Sequence, residues 1–124
     1  MCDLSDDCGD GSDEDRDAFC PNAIFNDFNG DLGIFSTGPD IAPDVQFAWS
    51  IGSGSTVNRD TGPPFDHTSF NPSGKYMYLK SQDQGQGDKA WLVSESFNMA
   101  QECRMTFFYH MKGTDVGALR VLIL

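Results

Sequence analysis

Between Cys2 and Glu14 the chain reads CDLSDDCGDGSDE, which places two cysteines, five aspartates and one glutamate within thirteen residues. Carboxylates at that density, with Gly9, Gly11 and Ser12 between them to allow tight turns, supply the oxygen donors that a hard cation takes. The segment therefore reads as a calcium cage rather than a solvated acidic tail. Its cysteines suggest disulfides standing in for a core, which places the chain in an oxidising compartment.

Two other groupings invite chemistry and do not sustain it. Asp66, His67, Thr68 and Ser69 set acid, imidazole and hydroxyls in a row. Neighbours in sequence cannot form a relay among themselves, and no glycine-framed serine accompanies them. They read as a turn clasped by side-chain bonds from Asp66 and Thr68. His110 has one other histidine for company, too few ligands for zinc, and reads as a hydrogen-bonded strand residue. No asparagine forms a glycosylation sequon, since Asn71 precedes Pro72.

Charge excludes whole classes of partner. Residues 1–20 hold eight acids and one arginine, and residues 21–124 hold eleven acids and seven lysines or arginines, so −7 and −4 sum to −11. Neither part offers a basic patch to neutralise phosphates, and nucleic acid is ruled out as a partner. Residues 1–20 lack the basic start and apolar heart of a signal peptide, and no apolar run is long enough to span a membrane. An extracellular composition without a leader implies a fragment of a longer, membrane-attached or secreted parent.

The elements that must position these residues are strands. The charge-dense module ends at Cys20, with a linker at residues 21–23; beyond it glycine, proline, serine and aspartate punctuate short runs rich in aromatic and β-branched residues. Strands are expected over Val45–Ile51, Lys75–Lys80, Ala90–Phe97, Cys103–Lys112 and Gly117–Leu124. In the fourth, Met105, Phe107, Tyr109 and Met111 share one face and Thr106, Phe108, His110 and Lys112 the other. The last is apolar on both faces, with Leu119, Val121 and Ile123 opposed by Leu122 and Leu124. Trp49, Trp91 and the Phe107–Tyr109 aromatics are assigned to the core. Gly52–Ser73 is a long loop, of the kind that binds or is pinned by side chains, and Gln82–Asp88 is an exposed hairpin loop.

Two family resemblances rest on these residues. Cys2-Asp3, Asp7-Cys8 and Asp10-Gly11-Ser12-Asp13-Glu14 resemble the C-terminal half of an LDL-receptor class A repeat. The resemblance implies calcium ligands from the side chains of Asp3, Asp7, Asp13 and Glu14 and the carbonyl of Ser5. It also implies a Cys2–Cys20 disulfide, leaving Cys8 and Cys103 without native partners. Four cysteines allow three connectivities, and a Cys8–Cys20 bond stays open.

Residues 24–124 resemble the MAM domain through FNDFNGDLGIF, FAWSI, GPPFDHTS, GKYMYLK, AWLVSESF, CRMTFFYHMKG and GALRVLIL. That resemblance implies an all-β, antiparallel jelly-roll-like sandwich, truncated at its C-terminal end and poor in autonomous stability, beside the small disulfide- and calcium-stabilised N-terminal module. The cysteines of the family's first disulfide align with Asn26 and Gly33, so both are replaced together. Acids near the GPPFDHTS loop of some family members suggest a second cation at Asp27 and Asp66. Together the resemblances imply a non-catalytic binding and adhesion module at the cell surface, using Ca2+ to hold an acidic surface for lysines or arginines of protein ligands, with homophilic association through the MAM part. An alternative is the accessory region, positioning substrate or partner, of a membrane-bound protease.

Overall fold

The computed structural model describes residues 23–56, 61–97 and 104–124. The acidic module, with Asp3, Ser5, Asp7, Asp13, Glu14, Cys2, Cys8 and Cys20, lies outside them, as does Cys103.

Among the described residues the architecture is all-β. Strand β1 (Phe35–Thr37) leads through a short 3-10 turn at Pro39–Ile41 to β2 (Ser50–Ser53), then β3 (Lys75–Tyr78) and β4 (Leu92–Ser94). Two antiparallel ladders result: β1 with β4, pairing Ser36 with Val93, and β2 with β3, pairing Gly52 with Tyr76. The pairing is nested, the inner pair β2–β3 lying in sequence between the two outer strands. The 81–88 connection is exposed, as expected, but it joins strands of different ladders and is not a hairpin loop.

One hydroxyl ties the outer ladder to the approach of the inner one. Thr37 Oγ1 donates to the Trp91 carbonyl at 2.8 Å and accepts the Trp49 amide at 2.9 Å, joining residues 12 and 54 positions away. Trp49 Nε1 adds a bond to the Ala90 carbonyl at 3.3 Å. Next to it, the Gln46 amide donates to the Lys89 carbonyl, the Lys89 amide to Gln46 Oε1, and Lys89 Nζ pairs with Asp44 at 2.8 Å. Lys89 also holds the Asp44 carboxyl below its ordinary range. Val45 is enclosed there, only 6% exposed.

These bonds explain why the strand expected over Val45–Ile51 is shorter. The Gln46 and Trp49 amides are spent on Lys89 and Thr37, so the ladder starts at Ser50. Conversely β1 was not anticipated, because FST carries too short an alternation to stand out. The strands expected over 103–112 and 117–124 are absent from residues 104–124, which make no backbone-to-backbone hydrogen bond among the described residues. Alternation gives a strand two faces, but a ladder also needs a neighbour. The Phe107–Tyr109 aromatics are correspondingly exposed rather than core, at 45, 51 and 71%. Trp49 and Trp91 are half-buried.

Candidate functional site

The described residues that carry polar chemistry gather on two loops that meet at the start of β3. The first, residues 26–33, is built from side chains that capture nearby amides. Asn26 Oδ1 accepts the Phe28 amide at 2.8 Å, Asp27 Oδ1 the Asn29 amide at 3.0 Å, and Asp31 Oδ1 the Gly33 amide at 2.7 Å. Short Asx side chains make such turns cheaply. The turns let Phe28 sit at φ 59°, a left-handed conformation that a bulky residue seldom adopts.

Asn26 also donates to the Leu32 carbonyl at 2.7 Å. A Cβ placed on Gly33 would stand 2.5 Å from Asn26 Nδ2. Asn26 and Gly33 are thus side by side, a hydrogen-bonded amide packed against a glycine. The loop lines a cleft of about 350 Å³ with Phe25, Asp27, Gly30 and Ile34.

The second loop, residues 61–74, is organised by Asp66, which is 3% exposed. Its Oδ1 accepts the Ser69 hydroxyl at 2.7 Å and the Asn71 amide at 3.1 Å, and its Oδ2 the Ser69 amide at 2.8 Å. Burial works to raise this carboxyl's pKa, but the bonds from Ser69 and Asn71 outweigh it and hold the group below the ordinary value. Gly74 completes the seat, since a Cβ there would overlap the Asp66 carboxylate. Past it, the Tyr76 hydroxyl donates to the Gly54 carbonyl, and burial, with Tyr78 nearby, raises the Tyr76 pKa.

The row of residues that suggested catalysis is a clasp. Ser69 donates to Asp66, whereas His67 turns away to stack on Phe108, ring centroids 3.3 Å apart, with its buried Nδ1 unpartnered. His110 is hydrogen-bonded, its Nε2 3.1 Å from the Thr61 carbonyl, although the segment is not a strand. Through these two contacts residues 108–110 lie along the second loop.

Asn29 joins the loops: its Nδ2 donates to Asp27 Oδ2 at 3.1 Å and its Oδ1 accepts the Lys75 amide at 3.0 Å. Asp27 thus contacts Asn29, while Asp66 lies against Gly74, the residue before Lys75. Among the described residues no group of three or more His, Cys, Asp or Glu side chains is placed to hold a metal. Nor is any helix there long and apolar enough to cross a membrane.

Residues 39–124 match the family described as MAM domain, meprin/A5/mu. The chain is 38% identical over 78 residues to mouse MAM domain-containing protein 2, covering 61% of this chain and 11% of that protein. It is 37% identical over 83 residues to chicken MAM domain-containing glycosylphosphatidylinositol anchor protein 1, covering 62% and 9%. Over 80 residues it is 41% identical to human neuropilin-1, covering 62% and 8%. The match thus spans about a tenth of each relative. No solved structure matches.

Proposed function

The chain belongs to the MAM domain family, and on that premise we propose that it is a non-catalytic, extracellular binding and adhesion module of a multidomain cell-surface or secreted protein. The observation that carries this reading is the family match over residues 39–124, on a chain whose paired strands, among the described residues, are antiparallel. A relative named as a glycosylphosphatidylinositol anchor protein supports a cell-surface setting. In this reading the strands belong to a jelly-roll-like sandwich that associates with other proteins, including further copies of itself.

The acidic segment supplies the second part of the proposal. Four carboxylates, Asp3, Asp7, Asp13 and Glu14, and the Ser5 carbonyl form a donor set suited to Ca2+, which takes six to eight oxygens. Cys2 bonded to Cys20 would close that segment into a half repeat. A carboxylate has two oxygens, so Asp3 and Asp7 can each serve the ion and an incoming lysine or arginine of a protein ligand. A second cation between Asp27 and Asp66 would have to displace the three donors that now fill the Asp66 oxygens.

The test is binding of an oligolysine peptide to the immobilised full chain, in calcium and in chelator. Calcium-dependent binding, lost in the Asp3→Asn/Asp7→Asn double variant, is the expected result. Binding that is equal in chelator or indifferent to that variant contradicts the acidic-surface mechanism.

A further inference from the structure

Asn29 is followed by Gly30, both are exposed, and the atoms around them are arranged for a reaction of the chain on itself. The Gly30 amide donates no hydrogen bond among the described residues, and nothing lies within 4 Å of where its Cβ would be. That nitrogen is therefore committed to no acceptor there, has no side chain on its own residue to shield it, and follows in the chain the residue whose side-chain carbonyl carbon it would attack. The carbonyl oxygen accepts the Lys75 amide at 3.0 Å, a donor placed where negative charge would develop during attack. The leaving nitrogen, Nδ2, sits 3.1 Å from Asp27 Oδ2, a carboxylate able to relay a proton. The assignment of the two side-chain atoms follows from their partners, since a carboxylate requires a donor and an amide N–H an acceptor.

We propose that Asn29 is a site of intramolecular deamidation, in which the Gly30 amide nitrogen attacks the Asn29 Cγ. The N–Cγ bond forms, Gly30 N gives up its proton, and the Cγ–Nδ2 bond breaks as ammonia leaves with that proton. The resulting five-membered imide is opened by water at either carbonyl, leaving aspartate or isoaspartate at position 29. No oxidant or reductant is involved. A carboxylate then replaces the group that now donates to Asp27, so an attraction becomes a repulsion between like charges. The isoaspartyl product also lengthens the backbone within the loop and pulls it off the Lys75 amide. Deamidation thus acts as a slow, irreversible release of residues 26–33 from β3.

The experiment ages the full chain at mildly alkaline pH, folded and in urea, with peptide mass mapping and isoaspartyl labelling as readouts. Conversion is expected at Asn29 and not at Asn26 or Asn71. Gly30→Val, whose side chain obstructs the nitrogen's approach, should slow conversion on the order of tenfold in both states. Asp27→Ala should slow it severalfold in the folded chain and leave the urea rate unchanged. Conversion in urea with none in the folded chain would overturn the proposal, as would an Asp27→Ala variant that converts as fast as the parent when folded.

Discussion

Asp66 is buried, and its two oxygens take three donors from the loop it organises. Replacing it with asparagine puts an N–H where one of those donors points and costs about 2 kcal/mol of stability, measurable by urea unfolding. The acid limb carries the same information. The folded pKa lies below the unfolded one, near 3.9 for an ordinary aspartate, so the carboxylate's contribution is complete above the unfolded value. It is lost as pH falls through the lower folded value. Asp66→Asn should therefore flatten the stability decline in that acid range and leave the slope near neutrality unchanged. The sequence pointed to a turn clasped by Asp66 and Thr68; Asp66 does clasp it, but among the described residues its partners are Ser69 and Asn71 and Thr68 adds no side-chain bond. The sequence did not show that Gly74, eight residues on, leaves the space the carboxylate occupies.

At the scale of elements, the inner ladder depends on an exchange of bulk between strands. The Tyr78 ring covers Gly52, so that a Cβ there would lie 2.8 Å from the ring. The residues are diagonal neighbours in the register, within reach of an aromatic side chain. Gly52→Val should displace the ring and cost about 1–3 kcal/mol, read as a lower urea midpoint with an unchanged slope. Strands β2, β3 and β4 overlap the expected runs because aromatic and β-branched residues there alternate between turn formers. Their ends could not be read, since the Thr37 and Gln46 side chains and the Lys89 carbonyl take amides that would otherwise be open to a ladder. Residues 104–124 show the converse: Met105, Phe107, Tyr109 and Met111 alternate as a strand should, but pairing is a property of two segments and one sequence pattern cannot supply the second.

At the scale of the molecule, charge is unevenly distributed along the chain. Residues 1–20 carry −7 of the net −11, and residues 104–124 hold Arg104, Lys112 and Arg120 against the single acid Asp115. The family was legible in the sequence because the segments that carry it, from FAWSI to GALRVLIL, depend on composition and order rather than on exact strand ends. The acidic segment lies outside the described residues, and its reading as a calcium site rests on the oxygens of its sequence alone. Its calcium role is therefore the central claim of the proposed mechanism. Isothermal calorimetry of Ca2+ into the oxidised full chain and its Asp13→Asn variant tests it most directly. Saturable binding is expected, with a Kd of about 10⁻⁴–10⁻³ M as in extracellular modules, that is lost on substitution. Absence of binding to the parent chain, or equal binding by the variant, would contradict the claim.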